Sequence, residues 1–258
     1  MIGKTIIMLK ILFNQNLAQN SSVGAYNAFY DKITRLVTQN RGINMDLFCK
    51  SYGKLANTFN EEKRIPEFTK LSKKLMEFLI SKDINHIAGI ICSVLMKLNK
   101  DNANSKLIED LATRGLAIAK RTKDVVHIAA RANDLNYILR HKNPGSEKHL
   151  KCLQIQNEAL KDICKNYDGD LVNRHQTINR ELAPLENYEI RLIHVKLDIA
   201  QYTLLKNPKY AIYEFEEAKA LFEKNKTKYA PRILEIAEKR IKGFEEKIER
   251  LICMKNWV

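Results

Sequence analysis

The chain has 258 residues, with 44 Lys+Arg against 30 Asp+Glu for a formal charge of +14. Its 9 Gly and 5 Pro are too few for an all-β sandwich or barrel, which spends such residues in a turn every roughly 8–12 positions, and too few for a collagen-like or low-complexity chain. With 45% apolar and 29% charged residues it has the composition of a folding chain, not of a disordered one. Near the start, Ile2, Ile6, Leu9 and Phe13 recur on one helical face while Lys10 interrupts the apolar run, a pattern that predicts an amphipathic helix over a targeting segment. No run approaches the roughly 18–20 apolar residues that cross a bilayer.

Further along, Phe68, Leu71, Leu75, Phe78 and Leu79 step by three or four, and so do Leu107, Leu111, Gly115 and Ile118. The segment Arg232 to Met254 puts Ile233, Ile236, Ala237, Ile241, Phe244, Ile248, Leu251 and Ile252 on one stripe and Glu and Lys on the other. Breaks are predicted at Asn20–Ser22, Arg41-Gly42, Ile65-Pro66, Asn102–Ser105, Asn143–Gly145, Asp168-Gly169, Ala183-Pro184, Asn207-Pro208 and Ala230-Pro231. Proline just past a break suits a first helical turn, where its missing N–H costs nothing. About twelve helices, or six helix hairpins, follow from this spacing.

An internal repeat points the same way. Lys82-Asp83-Ile84-Asn85-His86-Ile87-Ala88 returns 41 residues later as Lys123-Asp124-Val125-Val126-His127-Ile128-Ala129. A second echo pairs Tyr137, Leu139 and Asn143-Pro144 with Tyr202, Leu204 and Asn207-Pro208. Periods of about 34 to 47 residues belong to helical solenoids, in which each hairpin buries its face against its neighbours. The reading is therefore an all-α fold, an α-solenoid with residues 1–60 as N-terminal helices able to cap it and 61–258 as the repeat domain.

The stretch Leu197 to Phe222 resembles a tetratricopeptide (TPR) repeat, with Tyr202 in the first helix and Ala211, Phe215 and Ala218 in the second. His86-Ile87-Ala88-Gly89 and His127-Ile128-Ala129-Ala130 are similar to that family's small-residue step. The family's early Trp is absent, and the period is nearer 41 than 34 residues. The resemblance implies a right-handed TPR-like stack that binds a peptide or partner protein on its concave face, without catalysis.

Little in the chain suggests chemistry. His149 and Cys152 are close in sequence, but Cys164 stands about 18 Å further along a continuous helix at 1.5 Å per residue, and a zinc site needs four convergent ligands including more than His175. Asp168-Gly169-Asp170 lacks the rest of a calcium loop and reads as a turn with an N-cap. Arg121 and His127 resemble the Arg-x4–6-His signature of HEPN ribonucleases, where His would act as acid or base and Arg would hold phosphate. His127 has a repeat partner in His86 and Arg121 has none, so the repeat explains the histidine. No catalytic residue, metal or cofactor is assigned. Five scattered cysteines suit reduced thiols in the cytoplasm.

The spread of positive charge points to an acidic protein or peptide partner, with RNA as the alternative because phosphate binding needs only Lys and Arg. On the presumed first helices of the hairpins, Arg131, Asn133, Asn136, Arg191, Lys196 and Gln201 are the candidate contacts, offering amide and guanidinium donors. The expected function is a non-catalytic interaction scaffold; the alternative is a nucleic-acid-associated basic helical protein, with ribonuclease activity through Arg121 and His127 as its narrow form.

Overall fold

In the computed structural model the described residues are 22–99, 105–167 and 183–255, and they form an all-α fold. The predicted N-terminal amphipathic helix, the Asp168-Gly169-Asp170 turn and His175 lie outside them. The chain divides into two compact units that meet at Thr122 and Lys123.

Unit 1 contains α1 (Ser22–Thr38), α2 (Met45–Glu61), α3 (Ile65–Ser81), α4 (Asn85–Asn99) and α5 (Ser105–Thr122), each packed on its neighbour in sequence. Pro66 sits in the first turn of α3, as its missing N–H allows. The turns before α3 and α4 are the same device. Lys63 and Asp83 take left-handed backbone (φ 57° and 58°), and the following N–H groups of Arg64 and Ile84 reach back to the carbonyls of Phe59 and Leu79 at 2.8 and 2.9 Å. Those bonds close the last turn of each helix in the Schellman manner and reverse the chain within three residues. Lys123 takes the left-handed conformation 40 residues after Asp83 (φ 55°), one residue out of register with the 41-residue echo, which pairs Asp83 with the extended N-cap Asp124; both copies nonetheless lie at a turn before a helix.

Six aromatic rings fill the first part of this unit. Phe68 lies 5.2–5.7 Å from Phe59, Tyr52 and Tyr26, and Phe29 and Phe48 complete the cluster. Leu75, Leu79, Ile91, Leu95, Leu111 and Ile118 continue the core toward α5. Polar ties cross the helices at the edges. Arg64 donates to Ser22 Oγ at 2.9 Å and to Glu67 at 2.8 Å, and Asn99 Nδ2 donates to Thr69 Oγ1 at 3.0 Å.

Unit 2 contains α6 (Val125–Lys142), α7 (Glu147–Asn166), α8 (Leu185–Thr203), α9 (Pro208–Asn225) and α10 (Pro231–Lys255), with a short 3-10 turn at Lys226–Lys228. Side-chain caps start three of them: Asp124 accepts from Val126 and His127 N–H, Ser146 from His149 N–H, and Asn207 from Tyr210 N–H. α6 packs on α7, α7 on α8, and α8 on both α9 and α10. Ala211 and Ala218 are fully buried on α9, small enough to let α8 approach, and Phe215 stacks toward Phe244 of α10 at 4.8 Å. α10 buries Ala237, Ile241 and Phe244 and leaves Glu235, Glu238, Lys239, Lys242, Glu246 and Lys247 exposed, as the sequence predicts, whereas Ile236, expected on the apolar stripe, lies at its edge and is 47% exposed.

Candidate functional site

α8 is the central helix of unit 2, and most of its surface is covered by α7, α9 and α10. What remains is a single stripe: Asn187, Arg191, His194, Asp198 and Gln201 recur every three or four residues, and exposed Leu205 follows in the next turn. Within that stripe Asp198 is nearly buried, its side chain 8% exposed, because helices on both sides send an arginine to it. Arg140 from α6 pairs with Asp198 Oδ2, and Arg240 Nη2 from α10 donates to Oδ1 at 2.5 Å. One carboxylate therefore ties together α6, α8 and α10, alternate helices along the chain.

Arg240 also meets His194, its Nη1 standing 2.9 Å from Nδ1. A guanidinium can only donate, so Nδ1 accepts and the ring carries its hydrogen on Nε2. Burial, with the adjacent Arg240 charge second, lowers the His194 pKa from 6.5 to about 4. Stability contributed by the neutral ring is whole above 6.5 and is lost as pH falls toward about 4, because the unfolded chain takes up the proton first. Urea midpoints measured between about pH 7.5 and 4.5 are expected to fall more steeply for the native chain than for His194→Gln; parallel curves would contradict this assignment.

Behind the stripe, His149 of α7 is fully buried, accepts from Gly145 N–H at Nδ1 (3.1 Å) and meets the Tyr202 ring edge-on at 5.0 Å. Gly145 is required there: its φ is +72°, and a Cβ would lie 3.1 Å from Tyr202. This small packed corner fixes the end of α6, and with it the base of the Arg140 side chain.

The predicted contact residues separate into two groups. Arg191 and Gln201 are exposed on the α8 stripe, and Asn133 is exposed on α6, where its Oδ1 accepts from Gln156 at 3.2 Å. Arg131 is half-buried and pairs with Asp134 at 3.1 Å. Asn136 turns inward and donates to Gln156 Oε1 at 2.5 Å. Lys196 is buried on the opposite side of α8, where its ammonium donates to Glu214 at 2.7 Å and Glu217 at 2.6 Å. Burial pulls its pKa down, but the hydrogen bonds it donates to those two carboxylates more than reverse that and hold it above the usual lysine value. Sequence reading missed Arg140, His194, Asp198 and Arg240. The signal present was the three- and four-residue spacing from Arg191 through His194 and Asp198 to Gln201, which excludes Lys196 from the same face.

Of the pair considered for ribonuclease chemistry, Arg121 is exposed in the last turn of α5, and His127 Nδ1 lies 3.2 Å from Asp124 Oδ2 in the first turn of α6. Cys152 is buried with its thiol donating to the Ala132 carbonyl at 3.5 Å. Among the described residues no three His, Cys, Asp or Glu side chains gather in a way that could hold a metal ion. Among them, too, no helix is long and apolar enough to cross a membrane.

No family model matches the chain, and no curated protein matches it. Among solved structures it is similar to BtubC (BKLC) from P. vanneervenii, with 13% identity, 89% of this chain and 84% of that one covered, and a TM-score of 0.44.

Proposed function

We propose that the chain is a TPR-like stack of helix hairpins that serves as a non-catalytic binding scaffold in the cytoplasm, and that an acidic partner segment lies along the exposed stripe of α8. The observation that carries this reading is the Arg140–Asp198–Arg240 bridge. It joins the exposed faces of three helices into one surface and leaves the two guanidiniums partly open, with side chains 47% and 29% exposed. Exposed Tyr137 on α6 and Ile236 on α10 stand one turn before the two arginines and supply apolar contact beside the charge. Arg191 and Gln201 extend the donors along the same stripe. The 41-residue echo and the hairpin order of α6 to α9 support the repeat architecture.

The test uses a fluorescein-labelled glutamate-rich decapeptide, its lysine-rich counterpart and a labelled single-stranded RNA, each titrated with the full chain. Binding of the acidic peptide alone, weakened about tenfold by Arg191→Glu, is expected; a charge-assisted contact of roughly 1.5–3 kcal/mol is of that size. Arg191 is exposed, so this variant does not disturb the buried bridge. Tight RNA binding that falls steeply with salt and ignores Arg191 would overturn the reading in favour of the nucleic-acid alternative.

A further inference from the structure

Arg240 of α10 holds two groups of α8 at once. Its Nη1 donates to His194 Nδ1 at 2.9 Å and its Nη2 to Asp198 Oδ1 at 2.5 Å. His194 and Asp198 are four residues apart and so share one face of α8, each bound to a different nitrogen of the same guanidinium. This arrangement requires a neutral imidazole. A guanidinium offers only N–H groups, so a hydrogen on Nδ1 would set donor against donor and cation against cation.

The charges that bear on His194 come from three helices. Arg240 on α10 and Arg140 on α6 disfavour a positive ring, and Asp198 on α8 favours one. α7 places His149 behind them, where it too feels Asp198 and Arg140. α9 packs against the opposite side of α8, and its carboxylates Glu214 and Glu217 are taken there by Lys196. Asp198 is therefore the anion that a charged His194 turns to, and two arginines already share it. We propose that His194 is an acid-operated latch on α10: a proton from solvent adds to Nδ1 while Nε2 keeps its hydrogen, the Arg240 guanidinium is displaced, and the imidazolium pairs with Asp198 within α8. Arg140 stays on Oδ2. A tie between helices is thus exchanged for a pair inside one helix, which needs no tertiary contact. Ala237, Ile241 and Phe244 remain buried, so α10 loosens on α8 and does not leave it.

Burial and, second, the Arg240 charge hold the pKa of the latched ring at about 4; withdrawal of Arg240 removes the second cause and raises it toward 6.5. Between those values the proton binds the loosened form more tightly and shifts the population toward it as pH falls. Two NMR measurements on the full chain between about pH 7.5 and 4.5 test the latch. The first follows the His194 ring nitrogens. In Arg240→Met, which keeps an apolar stem, the ring is expected to titrate at higher pH than in the native chain. The second follows amide exchange, corrected for its intrinsic pH dependence. Protection of the α10 amides is expected to fall about tenfold on acidification of the native chain, the size of one charge-assisted hydrogen bond. It is expected to stay level in His194→Gln, whose side-chain oxygen accepts from Arg240 and takes no proton in this range. The amides of α7 and α9 should keep their protection throughout.

An unshifted His194 titration in Arg240→Met would overturn the proposal, and so would an equal loss of α10 protection in His194→Gln. Loss of protection in α7, α9 and α10 together would also overturn it, because that is general acid unfolding of unit 2 and not an exchange at Asp198. The latch concerns the seating of α10, whatever binds the stripe, and the peptide titrations judge the binding surface separately.

Discussion

Lys196→Ala is expected to destabilise unit 2 by about 3–5 kcal/mol, the cost of leaving a buried charge without its partner. The side chains of Lys196 and Glu214 are each only 3% exposed, and the truncation would leave Glu214 buried between α8 and α9 with the neutral Tyr210 hydroxyl, and no cation, to offset its desolvation. Glu217 is partly open to water and would suffer less. Replacing the buried pair together, as Lys196→Met with Glu214→Leu, is expected to restore most of the loss, because two apolar side chains of similar volume need no compensating charge. Urea denaturation of the native chain, Lys196→Ala and the double variant checks both statements. A loss below about 1 kcal/mol for Lys196→Ala would show that the pair behaves as a solvated surface ion pair.

Phe68→Ala is expected to cost unit 1 a similar amount, about 3–5 kcal/mol, for a different reason. Phe68 is fully buried, and its ring touches those of Tyr26, Tyr52 and Phe59 from α1 and α2. The lost ring leaves a cavity bounded by large rigid neighbours that cannot collapse into it, so transfer and cavity costs add. Phe68→Leu keeps much of the volume and is expected to lose less than half as much. Hydrogen exchange locates the effect: the amides of α1, α2 and α3 should open first in Phe68→Ala, and those of α8 and α9 in Lys196→Ala. Uniform loss of protection across the cluster's helices and the rest of the chain would contradict the local packing account.

These two positions show how far residue patterns reach. Phe68 was legible, since it begins the run through Leu71, Leu75 and Leu79 that defines the buried face of α3. A helix with one buried face writes that face into its sequence as a period of three to four, and α3 and α10 are such helices. Helix starts were legible at Pro66, Pro208 and Pro231, and the repeated Lys-Asp of residues 82–83 and 123–124 marked two turns, because local backbone chemistry decides such points. α8 behaves otherwise. Packed by three neighbours, it buries polar and apolar residues alike, and its sequence shows no single apolar stripe to read.

By itself, then, the sequence determined the all-α class and most helix boundaries, which depend on residues within one or two turns of each other. Which polar residues on α6 and α8 face water was decided only by the tertiary structure. Lys196 and Arg191 are both long cations on one helix. Lys196 is drawn inside by Glu214, 18 residues away, while Asp198, also on α8, is held by Arg140 and Arg240, 58 and 42 residues away. A buried charge is tolerated only where an opposite charge is brought to it, and the partner that brings it comes from another helix, placed by packing that no local period records.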